Sequence, residues 1–194
     1  VLDDLNMSVV YFLKFNQKDE KSIIQAGEKI FNIFIDFFSN NDKVAIKVHF
    51  GERQSKTYLK PVLVKTIYEM MIQKIKEAVL VDCNVLYKGD RSTGSSHKKL
   101  AYEQGFDFAP IIIADGEKGE EEMEIEVQGK HFKKVKIGKG INDFNSLLAI
   151  SHFTGHGSTG FGGTIKNIGM GLGSKSGKLA MHKAFNLKIS PAVC

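Results

Sequence analysis

Cysteine is scarce in this sequence, which holds only Cys83 and Cys194 among its 194 residues. Two cysteines cannot form the set of disulfides on which small secreted domains depend, so the composition favours a reducing compartment. The start of the chain also lacks a basic stretch followed by an apolar one, which is the pattern of a secretory signal. We therefore expect a cytoplasmic protein.

Long apolar runs are absent too. The longest candidate, residues 30–38, is interrupted and far shorter than the roughly 20 residues that span a bilayer. We therefore expect no membrane association. Hydrophobic residues make up 42% of the chain and charged residues 25%, which are ordinary globular values and exclude general disorder.

The charge has no concentrated basic block. The formal net charge is +5 and the isoelectric point is about 9.0, but the lysines are scattered and the acidic stretch 117–126 offsets them locally. Such a balance supports only non-specific attraction for anions. It argues against a dedicated nucleic-acid binder.

The pattern along the chain predicts one α/β domain. Residues 1–6 precede Met7 and are interpreted as a tag remnant or frayed extension, and residues 7–194 as a single domain. Strands are predicted at 8–15, 43–50, 78–82, 110–114 and 147–150, and helices at 23–38, from Pro61 to about residue 75, and at 97–104. This alternation predicts a mainly parallel sheet flanked by helices. Two segments that alternate in period two predict an inserted antiparallel hairpin at about 121–138.

Polar residues follow four of these predicted strands. They are His49 and Glu52, Asp82 and Asn84, Asp115, and finally Ser151, His152 and His156. Ligands of open α/β sheets bind beyond the carboxyl ends of the strands. We therefore interpret His49, Glu52, Asp82, His152 and His156 as candidate catalytic residues.

His152 and His156 have the spacing H-x₃-H, which on a helix places two imidazoles on one face for a metal ion. The glycines at positions 155 and 157 favour a loop instead. Two interpretations stay open: ligation of a divalent metal, with His49 as a third candidate ligand, or a polar role in catalysis or in fixing the loop.

A glycine-rich loop precedes a predicted helix at residues 160–167 (GFGGTIKN). Exposed N–H groups at a helix start attract phosphate or carboxylate. The candidate anion-binding residues are Gly160, Gly162, Gly163, Lys166 and Asn167. No Walker A or dinucleotide-binding pattern is present. The alternative is that the glycines serve tight turns and close backbone packing.

Four other residues carry specific expectations. Arg91 lies in a polar loop, where its parallel donors suit a carboxylate or phosphate, although a solvated position is the equal alternative. Asp82 ends an apolar strand, so its charge needs partners. Cys83 is predicted to be buried rather than reactive. His97 is predicted to lie at the surface of a helix.

Several segments together resemble the family called domain of unknown function 362. They are 47–52 (KVHFGE), 57–61 (TYLKP), 82–89 (DCNVLYKG), 151–156 (SHFTGH) and 160–171 (GFGGTIKNIGMG). Members of that family often carry a C-terminal ferredoxin-type module with two 4Fe-4S clusters, and Cys194 resembles its first ligand. The resemblance implies such clusters only if the natural chain continues past Cys194. It implies an architecture and iron–sulfur neighbours, but no reaction.

Three functions are consistent with these observations. The first is an iron–sulfur-associated redox or metal-dependent enzyme domain that binds a small anionic ligand at its His/Gly-rich loop. The three histidines would then be ligands or proton carriers, Asp82 and Glu52 would orient them, and Lys166 would hold the anion. The second is a non-catalytic scaffold for an electron-transfer partner. The third is a metal-free phosphate or nucleotide binder.

Overall fold

The computed structural model describes residues 9–157 and 159–183, which form an α/β fold. The strands are β1 (Lys43–Lys47), β2 (Glu77–Asp82), β3 (Ile111–Ile113), β4 (Glu122–Glu126), β5 (Lys134–Gly138), β6 (Ser146–Ala149), β7 (Thr154–His156) and β8 (Gly160–Gly162). The helices are α1 (Glu20–Phe34), α2 (Pro61–Ile72), α3 (Gly94–Glu103), α4 (Thr164–Gly169) and α5 (Lys175–Lys183), with 3₁₀ turns at Ile35–Phe37 and Lys139–Asp143.

Four parallel strands form the central sheet in the order β3-β2-β1-β6. Their Val, Ala, Ile and Leu runs are continuous because both faces of a parallel sheet are covered. The register aligns Ala45 of β1 with Val79 of β2 and with Leu147 of β6. The mainly parallel α/β fold predicted from the sequence is confirmed.

Helix ends follow local signals in the sequence. The Asp19 carboxylate caps α1 by accepting from the backbone N–H of Lys21 at 3.1 Å. Pro61 begins α2, where its missing N–H has no helical partner to lose. Thr93 caps α3 by accepting from the backbone N–H of Ser96. Pro61 and Thr93 thus mark the ends of the loops that follow β1 and β2.

Two antiparallel hairpins stand beside the sheet. β4 pairs with β5 from Glu122↔Gly138 to Glu126↔Lys134, so the predicted inserted hairpin is confirmed. β7 pairs with β8 through three residues on each strand. The H-x₃-H segment is therefore not a helix: His156 ends β7, and His152 lies two residues before that strand begins.

The predicted first strand is wrong. Residues 9–15 have strand-forming side chains, yet the structure gives them no strand and no ladder partner. The tendency of Val, Tyr and Phe to form strands depends on packing against a neighbouring strand, and none is supplied here. The predictions for residues 1–6 and for Cys194 lie outside the described residues.

Within residues 9–157 and 159–183, no helix combines the length and hydrophobicity that crossing a membrane requires.

Candidate functional site

The parallel sheet places the loops after β1, β2, β3 and β6 at one edge of the molecule. These loops carry the polar residues that the sequence identifies at strand ends. The residue that ends the central strand β2 at this edge is Asp82.

Asp82 is the centre of a buried charge cluster. Its Oδ1 lies 3.0 Å from Lys47 Nζ and its Oδ2 lies 2.9 Å from Arg91 Nη2. The backbone N–H of Cys83 donates to Oδ1 at 2.9 Å, and His97 Nε2 lies 3.5 Å from Oδ2. Burial alone would raise the pKa of Asp82, but Lys47 and Arg91 outweigh it and hold that pKa well below its usual value.

Lys47 is fully buried at the end of β1. Its ammonium group has three N–H donors and three acceptors: Asp82 Oδ1 at 3.0 Å, Val48 O at 3.0 Å and Asn167 Oδ1 at 2.6 Å. Burial lowers the pKa of Lys47, while the Asp82 carboxylate opposes that change. A buried lysine with a carboxylate and a full set of acceptors can keep its charge.

Arg91 connects this cluster to the surface. Nη2 binds Asp82 and Nε donates to His97 Nε2 at 3.0 Å. Nη1 donates to Glu52 Oε1 at 2.8 Å and lies 2.7 Å from His49 Nε2. The alternative of a solvated Arg91 is therefore wrong, because its guanidinium is buried among four side chains.

His49 faces hydrogen-bond donors at both ring nitrogens. The backbone N–H of Gly51 donates to Nδ1 at 3.0 Å, and Arg91 Nη1 approaches Nε2. Although His49 keeps exposed surface, desolvation and then the Arg91 charge lower the pKa of its imidazole to about 4. A neutral imidazole carries one proton and accepts at only one nitrogen. One of the two donors is therefore left without a matched acceptor.

Glu52 and Tyr87 complete the outer part of the site. The Tyr87 hydroxyl donates to Glu52 Oε1, the same oxygen that accepts from Arg91. Desolvation and this hydrogen bond raise the pKa of Tyr87 to about 12. Burial alone would raise the pKa of Glu52, but the bonds from Tyr87 and Arg91 lower it. We call His49, Glu52, Tyr87 and Arg91 the rim.

A second buried polar pair follows β2 and β3. The backbone N–H and the Nδ2 of Asn84 both donate to Asp115 Oδ1, at 2.8 and 3.0 Å. Asp115 Oδ2 and Asn84 Oδ1 are buried with no hydrogen-bond partner in the described structure. Burial raises the pKa of Asp115. Asp115 thus fixes Asn84 and the loop after β2 through Oδ1 alone.

The two histidines of the H-x₃-H segment belong to the region of the β7–β8 hairpin. His152 is exposed, and His156 Nδ1 lies 2.9 Å from Thr159 Oγ1 on the same hairpin. Among the described residues, no group of three or more His, Cys, Asp or Glu side chains is placed to hold a metal ion. Ligation by His49, His152 and His156 together therefore stays a prediction.

The glycine-rich loop reaches the charge cluster through Asn167. Its Oδ1 accepts from Lys47, and its Nδ2 donates to Ile150 O at 3.2 Å and to Ser151 Oγ at 3.0 Å. α4 has only six residues and begins after Gly163 without a side-chain cap. Among the described residues, no hydrogen bond or ion pair joins the other candidates of this loop, Gly160, Gly162, Gly163 and Lys166, to the rim.

One glycine of this region supports the close-packing interpretation. A Cβ at Gly171 would lie 2.8 Å from Lys47 Nζ and 2.0 Å from the carbonyl oxygen of Asn167. Only a residue without a side chain lets the backbone pass so close to the buried lysine. Anion binding by the glycine-rich loop stays a prediction.

Sequence reasoning missed three residues of the site. Lys47 had one signal, because it is a charged residue inside an apolar strand, and Tyr87 had none. The prediction of a surface position for His97 is wrong: its ring is fully buried and lies edge-on to Phe50, 5.7 Å between centroids. Its burial was indicated by the spacing from Leu100 and Ala101, which lie three and four residues later on the same face of α3.

The buried state predicted for Cys83 is confirmed. Desolvation, and after it the Asp115 charge, raise the pKa of its thiol to about 12, so the side chain stays protonated at neutral pH. His131 and His182 are both exposed.

Comparison with known proteins gives one match. No curated protein and no solved structure matched the chain. Residues 44–191 match the family model described as domain of unknown function (DUF362), the family that the sequence motifs indicate. Because this match covers most of the sequence, the chain belongs to the DUF362 family.

Proposed function

We propose that the chain is the ligand-binding domain of an enzyme and that its ligand is a small anion, a carboxylate or a phosphate, held at the rim. One observation carries this proposal: His49 faces two donors and accepts from only one. Either the Gly51 N–H or the second N–H of Arg91 Nη1, whose first N–H donates to Glu52, thus lacks an acceptor that an anionic oxygen can supply.

Glu52 marks the position that the anion takes. Its carboxylate is the half-exposed partner of Arg91, and the same oxygen accepts from the Tyr87 hydroxyl. An incoming carboxylate or phosphate offers the same type of acceptor and can replace Glu52 at both donors. With Glu52 displaced, two cations, Lys47 and Arg91, face the single carboxylate of Asp82, so the site carries a positive charge.

The buried part of the site holds the rim in place. Asp82 fixes the Arg91 guanidinium through Nη2, and His97 fixes Nε at 3.0 Å. The orientation of Nη1 therefore follows from groups that the ligand does not touch. Such a preorganised donor costs little rearrangement when an anion binds. In this scheme neutral His49 can act only as a proton acceptor for a bound ligand.

The proposal is tested by thermal unfolding with phosphate and a series of small mono- and dicarboxylates. An anion at one hundred times its dissociation constant adds about 2.7 kcal/mol of stability, or roughly 5–10 °C for a domain of this size. We expect Arg91→Lys to abolish the shift, Tyr87→Phe to reduce it, and Glu52→Gln to increase it, because the competing carboxylate is gone.

Arg53→Lys is the matched control. Arg53 also binds two carboxylates, Asp90 at 2.9 Å and Glu103 at 2.6 Å, but it lies exposed outside the rim. Its replacement should leave the anion-induced shift unchanged. A wild-type protein that no anion stabilises, or an equal shift in the Arg91→Lys and Arg53→Lys variants, would contradict the proposal.

The iron–sulfur and redox character of the enzyme is a proposal that rests on the family resemblance. Its metal dependence rests on the histidines that follow the strands, and its place in the cytoplasm rests on the scarcity of cysteine. The described residues do not fit an iron–sulfur cluster, because Cys83 is buried and protonated and no metal-holding group is present among them. Elemental analysis of anaerobically purified protein tests metal binding. Stoichiometric metal that is lost in His152→Ala or His156→Ala would assign these histidines as ligands.

A second candidate function is the docking of an electron-transfer partner. The observation in its favour is an apolar surface beside the site: Phe153 and Phe161 stack at 5.4 Å on the β7–β8 hairpin, and Ile165 is 91% exposed. Exposed apolar groups of this kind mark interaction surfaces. Binding of a two-cluster ferredoxin that is weakened by Phe161→Ser and retained in Arg91→Lys would favour docking over anion binding.

A further inference from the structure

The N-terminal part of the described chain exposes apolar side chains, and its backbone groups lack hydrogen-bond partners among the described residues. Residues 9–15 (VVYFLKF) make no hydrogen bond to another described residue. Phe12 is 88% exposed, and Val10 and Tyr11 are exposed as well. A segment rich in strand-forming residues with free N–H and C=O groups is a template for pairing with another strand.

The end of α1 enlarges this apolar surface. Tyr11 lies edge-on to Phe34 with 5.7 Å between ring centroids, and Phe34 lies 6.2 Å from Phe37. Phe37 is 80% exposed. These ring contacts join residues 9–15 and the C-terminal end of α1 into one continuous surface, which we call the aromatic face. Monomeric proteins rarely expose large contiguous apolar patches without an interaction partner.

We infer that the aromatic face is the interface of a symmetric dimer, in which residues 9–15 of two copies of this chain pair as antiparallel strands. An antiparallel pair of identical segments obeys a two-fold axis, so the contact closes on itself and needs no other surface. The segment spans roughly 23 Å when extended, the length of an ordinary strand.

The charges of the segment agree with this pairing. Lys14 is the single charged residue in residues 9–15. In a register centred on Phe12, Lys14 of one copy lies opposite Val10 of the other, so the two lysines do not face each other. Like charges directly opposite would destabilise the pair. The aliphatic stem of Lys14 can pack on the valine while its ammonium group stays in water.

The aromatic face also supplies what a strand pair needs beyond its hydrogen bonds. Two strands alone are at best marginally stable in water and require an apolar layer to cover them. Phe34 and Phe37 of each copy provide that layer beside the pair. Burying these rings removes apolar area from water, which favours the dimer.

Sedimentation velocity of the full chain over a wide range of concentrations tests this inference. We expect a dimer for the wild type and a dissociation constant at least about tenfold higher for Phe12→Glu, which places a charge at the two-fold axis. Phe153→Glu is the matched control, because it charges another exposed phenylalanine, which lies directly before β7. It should leave the dimer intact.

A cross-linking experiment tests the register. Phe12→Cys, made together with Cys194→Ser, should form a disulfide-linked dimer on mild oxidation, whereas Phe153→Cys in the same background should not. A wild type that is monomeric at every concentration overturns the inference and leaves the aromatic face to a different protein. A dimer that survives Phe12→Glu unchanged overturns it equally.

Discussion

In the buried cluster, Lys47, Asp82 and Arg91 each contact an opposite charge at about 3 Å and are almost completely enclosed. On the β7–β8 hairpin, by contrast, two phenyl rings stack in solvent beside the exposed His152. Both regions lie beyond the carboxyl ends of the central strands. The side chains of the cluster are thus held in one geometry, whereas the aromatic side chains of the hairpin are exposed to solvent.

The difference predicts different consequences of mutation. A buried charge that loses its partner keeps the cost of desolvation, so changes in the cluster should lower the free energy of unfolding. An exposed ring has little to lose on substitution, so changes on the hairpin should affect binding and leave stability nearly constant.

The largest effect is expected for Asp82→Asn. This change leaves Lys47 and Arg91 buried without a carboxylate, and breaking a buried pair costs about 3–5 kcal/mol. Urea denaturation measures the loss. Asp90→Asn is the control, because it breaks the exposed pair with Arg53 and should cost at most about 1 kcal/mol. Equal losses in the two variants would contradict a special role for the buried cluster.

Gly171→Ala should be next in size. The new methyl group would overlap the Asn167 carbonyl and press on Lys47, and overpacking of this kind typically costs about 1–3 kcal/mol. At Gly169 a Cβ would meet nothing within 4 Å, so Gly169→Ala should leave stability unchanged or raise it slightly. If the two alanine variants unfold at the same urea concentration, the close packing on Lys47 is not a constraint.

A smaller effect is expected from His49 in acid. Its folded pKa of about 4 lies below the ordinary value of 6.5, so between these pH values the unfolded chain binds a proton that the folded chain does not. The stability that depends on a neutral His49 is therefore complete above pH 6.5 and is lost as the pH drops towards 4. His49→Gln should make this fall less steep in urea denaturation across this pH range.

The smallest change in stability is expected for Phe161→Ser. The ring is 60% exposed and its recorded ring contact is the stack with Phe153, so the loss should be about 0.5 kcal/mol or less. A loss of several kcal/mol on urea denaturation would show that the hairpin is part of the core. The comparison between the two regions would then fail.

Local patterns in the sequence were sufficient for much of the fold. The apolar run of β2, the proline that begins α2 and the alternation of β4 and β5 each indicate one element without reference to the rest of the chain. The strand predicted at residues 8–15 failed because a strand needs a partner, which its own sequence does not specify.

The site was predicted in part, for a related reason. Asp82 and Glu52 follow strands and could be found by position, whereas the role of Lys47 depends on a distant partner and that of His97 on a contact outside its helix. The acceptor for Lys47 on α4 lies 120 residues further along the chain. His97 is buried because it continues the inner face of α3 and lies beneath Arg91, a contact that spacing within the helix does not reveal.

The bond between Lys47 and Asn167 has a consequence for the order of folding. During synthesis at about 5–20 residues per second, Asn167 follows Lys47 by roughly 6–24 s. The nascent sheet therefore contains a lysine that lacks one of its three acceptors until the last described helices emerge. We expect the backbone amides of the central strands to become protected from exchange early and the charge cluster to form late. A complete cluster then indicates that the glycine-rich segment has folded onto the sheet.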